Sequence, residues 1–459
     1  MDRFTLPIRK TGMKALLTAV FLLASATSLA VTDAERIQVY QEFRAAFDAK
    51  QFAAALPLAA KLVSMTEQQL GPDTNALVNP LTNLGTVNLR LTQYPAAETA
   101  YQRALAIIEA QSSAGADPAQ ISTLHGLGEV LLATKRYEAA KVSLDRAVGL
   151  TRNQRGLYDQ SQLAILPSLI ECHMAMQNFA LAEQQHQYAF RIAESTFGRA
   201  DKRLLGPLDR YARWYELMGR YTTARLLHAR GLQIAEQDGG QTSLLAVKPL
   251  RGLARSYWLE YINGPEETAD TSQLSDAAGN NISVGRLNPD GERALQIAIA
   301  TLNKQQPVIH QDLGETQLEF GDWYLLAGSP SKSNDAYRLA FRELESAGSA
   351  SILATPKSLA YRATPSSTLR MRPEKPEDFD IRNVETRLVV GADGRVLDAV
   401  SVGGDAPDAS IKAVVAALKR ARYRPRLDAS GAVETKELLY TERVYVRKPV
   451  VAATPAKQP

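Results

Sequence analysis

Residues that could carry chemistry are few in this chain and poorly spaced for it. The five histidines, His125, His173, His186, His228 and His310, include no pair four residues apart, the spacing that sets two ligands on one face of a zinc-binding helix. The single cysteine, Cys172, rules out an intrachain disulfide and a cysteine-based zinc site. Set among apolar residues, it is expected to pack as a small hydrophobe. Asn288-Pro289-Asp290-Gly291 carries too few carboxylates for a calcium loop and reads as a turn. The sequence holds no nucleophile motif and no phosphate loop, so the expectation is a protein without metal, cofactor or catalytic activity. The densest charge is Lys419-Arg420-Ala421-Arg422-Tyr423-Arg424-Pro425-Arg426, five cations in eight residues. Nucleic acid could meet such a cluster, but cations at the end of a helix also complement its dipole. The second reading is preferred, with contact to an acidic partner or an anionic envelope surface as an added role.

What must position these residues is a repeat. Phe52-Ala53-Ala54-Ala55, Tyr94-Pro95-Ala96-Ala97, Tyr137-Glu138-Ala139-Ala140, Phe179-Ala180-Leu181-Ala182 and Tyr221-Thr222-Thr223-Ala224 place an aromatic residue 42, 43, 42 and 42 positions apart. A fixed period of this size means stacked supersecondary units. Nine positions before the aromatic stands a small residue, Gly85, Gly128 or Ala212. Each unit is thus predicted to be a helix pair in which small residues allow close approach, with the aromatic at the turn opening the second helix. Apolar residues such as Ala97, Tyr101, Leu105 and Ile108 recur at helical spacing. Two weaker units follow, one with Ala254 and a second helix near Gly291, the other with Gly321 nine before Pro330.

The small residue of the first helix, the aromatic at the turn and the alanines of the second helix resemble the tetratricopeptide repeat, in an extended form with longer helices. The resemblance implies an α-helical solenoid over residues 31–347, interrupted by a polar loop insertion at 263–290, that binds protein or peptide on the concave face of its first helices. By register, Thr82, Thr86, His125, Glu129, Asp209, Arg213, Arg251 and Arg255 should point into that groove, which would turn basic toward its C-terminal half and suit an acidic or carboxylate-ended peptide.

From residue 348 to 380 prolines fall among Ser, Thr, Arg and Lys, and the stretch reads as an extended linker. Residues 381–447 change period. Val384, Thr386, Leu388 and Val390 alternate along a strand, Gly391-Ala392-Asp393-Gly394 is a hairpin turn, and Arg395–Val402 returns. Pro407-Asp408 opens a helix with Ile411, Val414, Val415 and Leu418 on one face, and Leu438–Val446 is a closing strand. Asp393-Gly394-Arg395-Val396, the 411–418 helix, Tyr423-Arg424-Pro425 and Gly431 resemble the C-terminal domain of TonB-type proteins, a small α+β module. In that family the last strand region pairs with a segment of an outer-membrane transporter. The resemblance therefore implies that the main chain of Tyr440, Glu442, Val444 and Val446 could accept a partner strand at an open edge. The chain departs from TonB itself in having a repeat array where TonB has a proline-rich spacer.

Arg3, Arg9, Lys10 and Lys14 precede an apolar or small run, Ala15 to Ala30, ending Ser28-Leu29-Ala30, the pattern of a secretory signal cleaved after Ala30. Residues 448–459 read as a disordered tail. At 459 residues, 45% apolar and 22% charged, the composition is that of a folded soluble chain. The net charge of +4 is uneven: residues from 351 onward carry +6. These features predict a periplasmic, non-catalytic adaptor of a Gram-negative-type envelope that joins two protein partners, an outer-membrane transporter among the candidates. The alternative keeps the N-terminal segment as an inner-membrane anchor and makes the chain a TonB-type energy transducer.

Overall fold

The structure, a computed structural model, describes residues 32–111, 118–240, 242–264, 287–362, 364 and 378–448. The expected signal segment, nearly all of the loop insertion, much of the linker and all but the first residue of the tail lie outside the described residues. Two units divide the chain, Met1–Thr196 and Phe197–Pro459.

The first unit is built from helix pairs: α1 (Asp33–Asp48) with α2 (Phe52–Leu70), α3 (Val78–Arg90) with α4 (Tyr94–Gln111), α5 (Pro118–Ala133) with α6 (Tyr137–Arg155), and α7 (Gln162–Ala175) with α8 (Phe179–Phe197). Every second helix starts at the repeated aromatic residue. A single turn explains why. Two positions earlier stands a residue in the left-handed conformation, Lys50 (φ 58°), Thr92 (59°), Lys135 (62°) or Gln177 (60°). The next N–H returns to the carbonyl five residues back, Gln93 to Asn88 at 2.8 Å and Arg136 to Leu131 at 2.8 Å, which is a Schellman closure of the first helix. The small residue nine before the aromatic does what its size implies. A Cβ on Gly85 would stand 2.8 Å from the ring of Tyr101, and one on Gly128 would stand 2.6 Å from Leu144. Tyr101 and Leu144 are fully buried core residues. Cys172 is buried as well, and burial pushes its thiol up to about 11.

The second unit continues the array with α9 (Leu205–Leu217) and α10 (Tyr221–Gly239), α11 (Val247–Asn263) and α12 (Pro289–Asn303), and α13 (His310–Leu326) and α14 (Pro330–Ser346). Gly219 and Gly328 supply the left-handed residue here, at φ 75° and 73°. Asn288, expected in a turn, caps α12: its side chain accepts the Asp290 N–H at 2.9 Å, with Pro289 at the first helical position. Gly321 meets Tyr337 as Gly85 meets Tyr101, so the same pairing rule reaches the last repeat although Pro330 replaces its aromatic.

The C-terminal module holds β1 (Lys357–Ala360), β2 (Phe379–Val390), β3 (Val396–Gly404), α15 (Asp408–Lys419), β4 (Arg422–Arg424), β5 (Arg426–Asp428), β6 (Gly431–Val433) and β7 (Thr435–Arg447). An antiparallel sheet runs β3-β2-β7, with two-stranded β1-β4 and β5-β6 ladders beside it. Val414 and Leu418 of α15, with Ile411 and Val415 at their margin, close the core against Val384, Leu388, Val390 and Val444, the face expected from the sequence. The three short ladder strands and β1 have no counterpart in the sequence reading.

One expectation needs correction. Residues 348–380 were expected to be an extended linker, yet Lys357–Ala360 is a strand pairing with Arg422–Arg424. The module is also fastened to the last helix pair. Arg424 donates from Nε to Asp322 Oδ1 at 2.8 Å and from its second nitrogen to Oδ2. The Tyr337 hydroxyl donates to the same Oδ1 at 2.9 Å. Asp322 is 2% exposed and Arg424 8%. Asn334 of α14 accepts the Ala432 N–H at 2.8 Å, and Leu427 enters the core of Leu318, Tyr337, Ala340 and Leu344. Proline content predicts an extended chain; it is blind to the charge pair and the apolar seam that anchor its far end.

Truncating one partner of a buried ion pair strands the other charge, whereas replacing both by apolar residues is often neutral. All three tryptophans, Trp214, Trp258 and Trp323, lie in the second unit, so their fluorescence reports on it alone. Asp322→Ala should lower the stability of this unit in urea by about 3–5 kcal/mol, and Asp322→Leu/Arg424→Met should recover most of that loss. Equal losses in the single and double variants would show that the pair does not hold the module in place.

Candidate functional site

The first helices α9, α11 and α13 share a face, because ion pairs join each to the next. Asp209 of α9 accepts Arg213 Nε of its own helix at 3.0 Å and lies 2.9 Å from Lys248 Nζ of α11. Glu216 of α9 accepts Arg255 Nε of α11 at 2.7 Å and contacts His228 Nε2 of α10 at 2.9 Å. Arg251 of α11 donates to Glu319 of α13 at 2.7 and 2.9 Å and to Glu315 at 3.0 Å. The expected basic groove is therefore a charge-matched ladder: Arg251 and Arg255, predicted to receive an acidic peptide, already hold carboxylates. The residues missed were Glu216, Lys248, Glu315 and Glu319. A signal was available, since Glu315 and Glu319, one helix pair onward, form an i,i+4 acidic pair that meets Arg251.

Burial pushes the Glu216 carboxyl up, but the His228 hydrogen bond and the Arg255 guanidinium outweigh it and hold it below the usual range. Burial acts likewise on Asp209, and Lys248 and Arg213 lower it. The His228 ring lies against α11 so closely that a Cβ on Gly252 would stand 2.3 Å from it.

In the first unit the predicted residues are less open than expected. The Thr82 hydroxyl is buried against Thr123 Oγ1 at 2.8 Å, and Thr86 bonds the Thr82 carbonyl and the Tyr101 hydroxyl. Both threonines tie helices together. His125 and Glu129 are half-buried and 3.8 Å apart. Burial pushes the imidazole pKa of His125 down, Glu129 opposes that, and Arg90 adds to it. Glu129 also lines an open hollow of about 320 Å³ with Arg90, Ser168 and Glu171. Among the described residues no group of three or more His, Cys, Asp or Glu side chains is arranged to hold a metal ion.

On β7, Glu442 and Val444 are buried, and Tyr440 and Val446 half-buried, so these side chains face the module core. The Tyr440 hydroxyl donates to the Glu442 carboxylate, and its ring meets Tyr361 edge-on at 5.9 Å. Among the described residues β7 pairs only with β2, over Phe379↔Arg447 to Val390↔Thr435. Among the described residues its other side is an edge.

A carboxylate whose folded pKa is depressed contributes stability that is present above its unfolded pKa and is lost as pH falls through its folded pKa. For Glu216 the loss begins near its ordinary value of 4.5. Glu216→Gln should therefore lower urea stability of the second unit at pH 7 by about 1–3 kcal/mol. The gap from the parent should close below the ordinary carboxylate range, where the parent's own carboxyl is protonated. A gap independent of pH would mean that the charge on Glu216 does not matter.

Residues 44–110 match the family model described as tetratricopeptide repeat, a stretch from the end of α1 through α4. No curated protein sequence matches the chain. Among solved structures it is similar to the TPR-like repeats of a kinesin light chain homologue from Podosopora anserina, at 18% identity over 44% of this chain and 94% of that one, with a TM-score of 0.40. It is also similar to part of a TPR repeat-containing protein from Cytophaga hutchinsonii, at 13% identity over 66% and 94%, TM-score 0.42. A Rap protein solved with Competence and Sporulation Factor is a third, at 13% identity over 72% and 80%, TM-score 0.38. The chain is an array of TPR-like helix pairs followed by a small C-terminal region of antiparallel strands.

Proposed function

We propose that this protein is a non-catalytic adaptor of a cell envelope, exported to the periplasm, whose TonB-like C-terminal module takes a strand from a partner along β7. The observation that carries the reading is the long β7 edge: thirteen residues paired on one side only among the described residues. An open strand edge offers unpaired N–H and C=O groups to an incoming chain, and main-chain pairing supplies affinity without a dedicated pocket. The inward-facing residues Tyr440, Glu442, Val444 and Val446 anchor the strand to its core, while Leu439, Thr441 and Arg443 are exposed beside the edge. A segment of an outer-membrane transporter fits this mode. The repeat array is a protein-interaction scaffold, and its ladder of paired charges would select a partner by matching polarity on both signs rather than by positive charge alone.

The module is attached to α13 and α14 rather than hung on a free linker. Binding at β7 is presented from a fixed platform, so its benefit is preorganisation rather than a raised local concentration.

Two measurements test the reading. Mass spectrometry of the intact protein from fractionated cells should find a mature N-terminus at Val31 in the soluble periplasm; a full-length chain in the inner membrane would favour the anchored transducer instead. Cysteine scanning is clean here, because the native Cys172 is buried. Thr441→Cys and Arg443→Cys should cross-link in cells to one common envelope protein, whereas Leu397→Cys and Val402→Cys on β3 should not. Equal adducts from both strands would overturn strand addition at β7.

A further inference from the structure

The basic cluster of residues 419–426 divides in three in the folded protein. Arg424 turns inward to Asp322, Lys419 at the end of α15 and Arg426 on β5 are exposed, and Arg420 and Arg422 line a cavity of about 800 Å³. The cavity lies between the ends of α11 and α13 on one side and the module on the other. Arg362, just past β1, and Arg395, in the β2–β3 hairpin, complete its cationic wall.

Elsewhere in this unit Arg225, Arg251, Arg255 and Arg424, buried or half-buried, each hold a carboxylate. In the cavity Arg422 is half-buried without a carboxylate among the described residues, and Arg362, Arg395 and Arg420 are exposed cations that line the same opening. Arg395 lies 3.5 Å from Asp393, an exposed pair worth little. Arg362 donates to the Ile262 carbonyl and Arg422 to the Ala421 carbonyl, and among the described residues neither they nor Arg420 has an ion-pair partner. Arg395 and Arg422 are moreover direct partners in an antiparallel bridge, closed by the Tyr423 N–H to Gly394 carbonyl bond at 2.9 Å. Like charges directly opposite one another across such a pair are destabilising. The backbones approach closely here, since a Cβ on Gly394 would stand 2.3 Å from the Tyr423 carbonyl and 2.6 Å from Leu325.

We infer that this cavity is a binding site for an amphiphilic anion, a carboxylate or phosphate group held by Arg362, Arg395, Arg420 and Arg422 with its apolar body against Tyr261, Leu325 and Leu326. Guanidinium forks match both oxyanions in bidentate geometry. The volume falls in the range of small-ligand sites, and the apolar wall opposite the cations gives the ligand's body a dry surface. Because the lining comes from both the last repeats and the module, an occupied site adds contacts across their seam. The inference does not depend on β7 or on where the protein resides.

The test is calorimetric titration of the full chain at low and moderate salt with octanoate, monooctyl phosphate and inorganic phosphate. Saturable one-to-one binding of octanoate or monooctyl phosphate is expected, whichever is tighter identifying the preferred oxyanion, and inorganic phosphate should bind at least about tenfold more weakly for lack of an apolar body. Arg420→Gln/Arg422→Gln should weaken binding by about tenfold or more, the worth of a charge-assisted hydrogen bond. Arg426→Gln, a neighbour in sequence that faces away, should leave it unchanged. Tryptophan fluorescence against urea shows whether the double variant is folded, and if it is not, Arg395→Gln replaces it. No saturable binding by the parent, an equal loss in Arg426→Gln, or unaltered binding in the folded double variant would each overturn the site.

Discussion

The buried contact between Arg424 and Asp322 is the constraint on which the second unit depends. Two charges taken from water into a site sealed by Tyr337 gain stability only where geometry is good and the remaining lone pairs are satisfied. Here the guanidinium meets both carboxylate oxygens and the tyrosine hydroxyl adds a third donor. Burial opposes the charge on Arg424, and Asp322 more than offsets it, so the guanidinium pKa is raised. The same carboxylate, with burial the larger cause, raises the pKa of the Tyr337 phenol well above its ordinary value. A contact of this kind specifies one docking pose, because a displaced module would strand a carboxylate and a cation in an apolar seam. The final repeat thus serves as a platform for the module as well as the end of the array.

Much of the helical architecture was legible because it obeys local rules. The recurring aromatic marks the start of a second helix, since the Schellman turn before it is four residues of local geometry. The small residue nine positions earlier marks where two helices touch, since a larger side chain would strike Tyr101, Leu144 or Tyr337. Both rules act within about twenty residues and leave a periodic trace. The hairpin of β2 and β3 and the apolar stripe of α15 were readable for the same reason. The strands β1, β4, β5 and β6 were not, since three or four residues carry no period, and the pairing of β1 with β4 is set by a distant partner, as Lys357 with Arg424.

The site was less legible than the fold, and the failure has one cause. Register places a side chain on a face but says nothing of what stands across from it. Thr82, Thr86, Arg251 and Arg255 were assigned to the groove, yet the threonines spend their hydroxyls on Thr123, a helix carbonyl and Tyr101, and the arginines spend their charge on Glu216, Glu315 and Glu319. Apart from that helix carbonyl, these partners lie 15 to 68 residues away. Only the i,i+4 pair of acids on α13 that meets Arg251 of α11 left a mark that a reader of the sequence could have used.

Pairing by distant partners also explains why a run of cations cannot be interpreted by counting. Lys419 to Arg426 looks like one patch, but it crosses three elements: Lys419 ends α15, Arg422 and Arg424 lie on β4, and Arg426 lies on β5 beyond Pro425. Tyr423 holds the interior of the module while Arg424 points to the last repeat. The fold consumes one cation for attachment, releases two, Lys419 and Arg426, to solvent, and leaves two, Arg420 and Arg422, beside Arg362 and Arg395 without ion-pair partners among the described residues. Attachment and ligand capture would then be adjacent uses of the same eight residues: the pair that fixes the module against α13 also fixes the width of the cavity beside it, so any change in docking pose would be felt at the guanidinium wall first.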